Sequence, residues 1–239
     1  MARLAGRIAL VTGASRGLGA AVAQRFAAEG AQVVLVAREA KSLEAIDDSV
    51  GSAATLVPLD LRDFGKIDQL GAALAQRFGR LDILVAAAAV LGMLSPLGHA
   101  DPALWQEVID VNLTANYRLL RALDPLLRAS DAGRAIFVTC NSERAALPYW
   151  GAYATSKAAL EAMVRIYAGE NEKTTIRANL VDPGPLRTQL RADAFPHEKP
   201  ETLPLPAEAT DAFVALAAAD CRRNGEIVRA ALPLHPAGA

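Results

Sequence analysis

The stretch RIALVTGASRGLG, Arg7 to Gly19, runs a short apolar segment straight into a loop with glycines at 13, 17 and 19. A segment that short and apolar on both faces reads as a strand inside a parallel sheet covered by helices. Glycine lets a backbone turn tightly and approach a phosphate closely, and the N–H groups at a helix start favour negative charge. Leu18, Val22 and Phe26 then recur at helical spacing. Strand, glycine loop and helix in that order form the unit that binds the pyrophosphate of a dinucleotide.

The same alternation continues outward from this unit. Apolar runs at 32–37, 55–59, 82–88, 135–140, 176–181 and 226–230 are the further candidate strands, making seven with 7–12. Between them lie segments of helical period, such as Leu70, Leu74 and Phe78, and a long helix opened by Asp101 as N-cap with Pro102 in the first turn. No linker, repeat or low-complexity tract divides residues 1–239. The expectation is α/β: one doubly wound Rossmann-type domain on a seven-stranded parallel sheet. Its ligand would lie beyond the C-terminal strand ends, where strand order switches. Residues 182–206 break the rhythm with prolines at 183, 185, 196, 200, 204 and 206, so no continuous helix is expected there. Hanging from a strand end, this segment is expected to be a lid over the ligand or a plain surface excursion.

Composition narrows the function classes. A formal net charge of −1 with scattered basic residues gives no electrostatic case for nucleic acid or an anionic membrane. Cys140 and Cys221 lie far apart, as do His99, His197 and His235, so neither a disulfide framework nor a metal site is expected. The longest apolar run, Ile83–Leu94, is shorter than the ~18 residues of a membrane span, and the N-terminal run is too short for a signal peptide. A cytoplasmic protein is expected.

The segment TCNSERAALPYWGAYATSKAAL, Thr139 to Leu160, carries the chemistry. Tyr153 and Lys157 stand one helical turn apart and share a face. A free tyrosine ionises near pH ~10, and a neighbouring ammonium favours the phenolate, so the pair could move a proton to a carbonyl or from an alcohol. The alternative is an ordinary surface pair.

The spacing TGxxxGxG at Thr12–Gly19, together with Tyr153-x-x-x-Lys157, resembles the short-chain dehydrogenase/reductase family. The resemblance extends to Asp60 after the third strand, Asn112 in VIDVN, and Pro183-Gly184 with Thr188. Within the family, VDPGPLRTQLRADAFP and PYWGAYATSKAA are similar to bacterial YciK-like oxidoreductases. Residues implied to hold a nicotinamide cofactor are Gly13, Ser15, Arg16, Gly17, Leu18, Gly19, Arg38, Asp60, Leu61, Ala88, Tyr153, Lys157, Pro183, Gly184 and Thr188. Asp60 would accept from the adenine amino group, or else cap a helix. Lys157 would hold the nicotinamide ribose, and Asn112 would mark a helix kink and place a water in a proton relay. Oligomers, dimeric or tetrameric, are implied through the helices that contain Asn112 and Tyr153. Among rivals, a non-catalytic cofactor-binding sensor stays open, whereas epimerase chemistry needs a larger substrate domain.

Cofactor choice follows from the end of the second strand. Ala37 stands where a ribose-binding acid is usual, Arg38 follows it, and Arg16 lies in the glycine loop. Two guanidinium groups without a carboxylate suit a 2′-phosphate, so NADP(H) is expected. Two departures from the family stand out. Ala86–Ala89 replaces Asn-Asn-Ala-Gly, which puts the local brace and the nicotinamide fit in question. The family serine precedes the tyrosine by thirteen residues, where this chain has Cys140, and Ser142 comes two residues later. A thiol donates weakly, so either Cys140 or Ser142, with Asn141 as a further candidate, completes the site. The substrate is expected to be a small carbonyl or alcohol compound, with Tyr149, Trp150 and Phe195 as aromatic lid candidates.

Overall fold

A computed structural model describes residues 2–50, 54–140 and 147–232. Its sheet has seven parallel strands: β1 (Ile8–Thr12), β2 (Gln32–Ala37), β3 (Ala54–Pro58), β4 (Ile83–Ala86), β5 (Arg134–Val138), β6 (Arg177–Asp182) and β7 (Ile227–Arg229). Their spatial order is β3-β2-β1-β4-β5-β6-β7. The chain therefore builds outward from β1 in one direction, then returns to lay β4 on its other side. The two strand ends at that switch diverge, and a crevice opens between them.

Alternate residues of each strand face opposite layers, because strand side chains have a period of two. Leu10, Val34, Leu84 and Phe137 face helices α3 (Phe64–Phe78), α5 (Ala115–Arg128) and α6 (Gly151–Glu170). Val11, Leu35, Val85 and Ile136 face α1 (Gly17–Ala28), α2 (Ala40–Val50) and α8 (Thr210–Ala217). Both faces are covered, which is why the strands read as continuous apolar runs. At the opposite end from the crevice, the buried Arg134 guanidinium donates to the carbonyls of Gly133, Thr175, Ala218, Ala219 and Cys221. It ties the start of β5 to the chain after α8.

Asp101 caps α4 (Pro102–Ile109), accepting from the Ala103 and Leu104 amides, as its sequence predicted. The expected long helix does not run straight on. A π-helical turn spans Asp110–Thr114, with Asn112 at its centre, before α5 begins. The proline-rich stretch contains only α7 (Gln189–Ala194) and a short 3₁₀ turn at Pro200–Thr202, with another beginning at Pro206. Among the described residues, no helix is long and apolar enough to cross a membrane.

Candidate active site

The glycine loop is shaped by what it excludes. Gly13 (φ +68°) and Gly17 (φ +57°) adopt the left-handed region, and a Cβ on Gly13 would lie 2.9 Å from the backbone of Ala88. A Cβ on Gly19 would overlap the Gly13 carbonyl oxygen. The three glycines thus let α1 start directly beneath the crevice and let β4's exit pass over the loop. The alanine run is braced from two sides. The Ala88 amide donates to Thr12 Oγ1 at 3.2 Å, and both backbone groups of Val90 bond the Asn112 side chain at 2.9 Å.

One crevice of about 840 Å³ gathers these elements, within the usual range for a small-molecule or cofactor site. Gly13, Ser15, Arg16, Gly17, Leu18, Gly19, Arg38, Asp60, Leu61 and Ala88 line one part of it. Cys140, Tyr153, Lys157, Pro183, Gly184 and Thr188 line the rest. Ser142 and Asn141 lie outside the described residues. Asn112 is fully buried and is not part of the lining. Its Nδ2 reaches Ser156 Oγ at 3.1 Å, and Ser156 donates to the Tyr153 carbonyl at 2.7 Å. Its own carbonyl accepts from Asn116 Nδ2 at 2.7 Å. In this geometry Asn112 fixes the β4 exit and α6.

Asp60 lines the crevice and is held by its neighbour Arg62. Arg62 grips it through its backbone amide (2.9 Å) and through the guanidinium (2.7 Å at the shortest). The same guanidinium reaches Glu107 of α4 at 3.1 Å. These bonds hold the Asp60 carboxyl below the usual range, the Arg62 hydrogen bond first among the causes. Asp60 is no helix cap, since Asp63 takes that place at α3. Glu39, next to Arg38, lines the crevice as well; the search for an acid at position 37 alone passed over it.

At the other end, α6 is stapled to the end of β5 at two levels. Lys157 Nζ donates to the Val138 carbonyl at 2.8 Å, and one turn along the helix Glu161 accepts from Thr139 Oγ1 at 2.6 Å. The Lys157 ammonium lies 5.7 Å from the centre of the Tyr153 ring. Burial pushes Lys157 down to about 8, against the raising effects of Cys140 and Glu161. Burial pushes Tyr153 well above its ordinary value, with Cys140 and Asp182 adding to it. The predicted lowering of Tyr153 is thereby reversed: helical spacing foresaw the neighbouring ammonium but not the desolvation that outweighs it. Burial likewise raises the Cys140 thiol, so Cys140 is a neutral group facing the same space as Tyr153 and Lys157. Sequence reading missed Thr12, Ser156 and Arg62, each of which has a partner distant in the chain, namely Ala88, Asn112 and Glu107. Glu161 was visible as the next step of the 153–157 spacing.

The geometry is that of a nucleotide crevice ending at a buried Tyr–Lys pair, and the comparisons agree. Residues 7–199 match the short chain dehydrogenase family. The chain is a short-chain dehydrogenase/reductase. The oxidoreductase YciK of Escherichia coli K12 is 37% identical over 91% of this chain and 88% of its own. The 2,3-dihydro-2,3-dihydroxybenzoate dehydrogenase of Bacillus subtilis is 31% identical over 78% and 72%. A solved short chain dehydrogenase of Escherichia coli CFT073, complexed with NADPH, superposes with a TM-score of 0.91 at 36% identity, over 96% of this chain and 99% of that one. As a member of this family the chain is an oxidoreductase.

Lys157 provides a test that needs no substrate. A fall from 10.5 to about 8 corresponds to ~3 kcal/mol of destabilisation by the buried charge. It is partly offset by the bond to Val138. Lys157→Met should therefore raise stability by roughly 1–2 kcal/mol at pH 7. Because the folded value lies below the unfolded one, the penalty is complete below pH 8. It fades as pH rises towards 10.5, where the unfolded lysine also loses its proton. Urea unfolding across pH 7–10.5 checks this; a variant less stable than wild type at pH 7 would contradict it.

Proposed function

We propose that the chain transfers hydride between NADP(H) and a small carbonyl or alcohol compound, with Tyr153 as acid and base. The observation carrying this reading is the single crevice that joins the glycine loop of α1 to the buried Tyr153–Lys157 pair.

The residues present fit the cofactor. Gly13 and Gly17 leave a backbone cradle at a helix N-terminus, where phosphate charge is favoured. Arg16 and Arg38 line the same end, beside an Asp60 whose charge is already met by Arg62. That arrangement suits a ribose 2′-phosphate, and NADPH in the related Escherichia coli CFT073 protein supports the choice. Ser15, Leu18 and Leu61 would contact the nucleotide. Pro183, Gly184 and Thr188 would flank the nicotinamide, and residues 182–206 would close over it as a lid. The nicotinamide, when bound, supplies or accepts the hydride.

The chain's own groups move the proton. The raised value of Tyr153 keeps its hydroxyl protonated at neutral pH, as required of a donor to a carbonyl oxygen being reduced. Lys157 places a cation under the Tyr153 ring and hydrogen-bond donors within reach of a ribose. Cys140 stands in the crevice where a carbonyl oxygen would need a second donor, although its thiol donates weakly. Ser142 is the alternative donor. Helices α5 and α6 expose Tyr117 and Ile166, and pairing of two copies through these helices completes the proposal.

Cofactor choice is tested by binding. NADPH should bind at least tenfold tighter than NADH, a difference of ~1.4 kcal/mol. Arg38→Ala should narrow the gap by weakening NADPH. Calorimetric titration with both cofactors measures it, and equal affinities would refute the preference.

Turnover tests the rest. Tyr153→Phe should lower turnover by roughly 10²–10⁴ while NADPH still binds. If Cys140 is the donor, Cys140→Ser should raise turnover of a simple ketone. If Ser142 is the donor, Ser142→Ala should cost ~10²–10³ and Cys140→Ser should be near neutral. NADPH binding without turnover of any compound in a broad aldehyde and ketone panel would favour a sensor over an enzyme.

A further inference from the structure

A chain of stacked side chains runs from the proline-rich segment to Tyr153. Glu198 clamps the Arg191 guanidinium with two bonds of 2.6 Å. Arg191 lies 3.8 Å over the ring centre of Phe195. Phe195 packs against Trp150 at 5.7 Å with a 38° tilt, and Trp150 meets the Tyr153 ring edge-on at 5.8 Å and 72°. These are the spacings at which aromatic rings attract one another. Of the three aromatic candidates in the sequence, Trp150 lines the crevice and Phe195 backs it, while Tyr149 is exposed.

The backbone fixes Trp150 as firmly as its ring contacts do. Tyr149 holds φ +77°, an uncommon conformation for a bulky side chain, and its carbonyl accepts from the Ser95 amide at 3.1 Å. Trp150 itself forms a parallel bridge with Ser95. Strain of this kind persists where surrounding contacts over-determine it, and it concentrates at ligand sites. Apolar residues of the same lining include Val90, Val111, Leu186 and Leu190. Two cations, Arg187 and Arg191, line the crevice along the same segment, and Arg191 is committed to Glu198.

Resting on the reading of Tyr153 as the proton donor, we propose that Trp150 is a specificity-determining wall selecting carbonyl compounds whose carbonyl bears a flat, apolar, unsaturated ring. A carbonyl oxygen at the Tyr153 hydroxyl places its substituent beside the indole that touches the same tyrosine. A planar ring stacks on that surface, whereas a puckered ring of equal size makes fewer contacts.

The experiment compares acetophenone with cyclohexyl methyl ketone, which match in size and differ in flatness. With NADPH present, kcat/KM for acetophenone should exceed that for cyclohexyl methyl ketone by about tenfold or more. Trp150→Leu should bring the ratio to within about threefold, and Trp150→Phe, which keeps a ring, should retain most of it. Saturation-transfer NMR reads binding without turnover, and the acetophenone ring protons should receive saturation that Trp150→Leu abolishes. Equal kcat/KM values for the two ketones, or equal saturation of both, would overturn the wall. Ring saturation that depends on Trp150 with no turnover of either ketone would uphold the wall and sink the assignment of Tyr153.

Discussion

Where β1 and β4 leave the sheet, two backbones pass with no room for a side chain between them. That close approach is the constraint on which the rest depends. Gly13 takes a left-handed φ and would collide with Ala88 if it carried a Cβ. Gly19 in turn packs against the Gly13 carbonyl, so α1 begins within hydrogen-bonding reach of whatever occupies the crevice. The alanines at 86–89, which depart from the family pattern, satisfy this constraint. Their polar requirements are met from outside, by Thr12 for Ala88 and by Asn112 for Val90.

The second end of the crevice is organised by burial. Lys157 is an almost wholly buried cation whose one hydrogen bond among the described residues goes to Val138. Such a group opposes folding, and the remaining core has to hold it in place. Helix α6 does so because Leu160, Val164 and Ala168 anchor it against β5 and β6, while Glu161 and Ser156 tie it to Thr139 and Asn112. The same desolvation that lowers Lys157 raises Tyr153. A proton therefore rests on the phenol more firmly than in water, and the ammonium beside it gives up its own more readily. One physical cause shifts the two groups in opposite directions and so separates their affinities for a proton.

The sheet was legible because strands covered on both faces must be apolar throughout, and seven such runs mark themselves against the helical segments. Their ends were placed within a residue or two throughout, the widest difference being at β4 and β5, which stop at Ala86 and Val138, two residues before the expected runs end. The glycine loop and the 153–157 pair were legible because their spacing is local. Asn112 could be marked as unusual, and the π-helical turn explains why a helix tolerates it. Its clamp on Val90 joins residues 22 apart, and no local pattern encodes that. The direction of the Tyr153 shift was misread for a related reason. Charge neighbours follow from helical spacing, but desolvation depends on everything packed around the ring.

Arg62 links these findings to the character of the nucleotide end. Asp60 alone would set a carboxylate near Arg38, whose charge already acts on it, and the two would largely cancel. Arg62 meets Asp60 with a two-pronged grip, and Glu107 meets the guanidinium from α4. Opposite charges a few ångströms apart cancel much of each other's field beyond the pair. Arg16 and Arg38 line the same part of the crevice, with Glu39 beside Arg38. The Arg62 bridge also joins the end of β3 to α4, whose continuation through the π-helical turn carries Asn112. The contacts around Asp60 are thereby mechanically continuous with those that hold Val90 and α6. The two ends of the crevice share one frame.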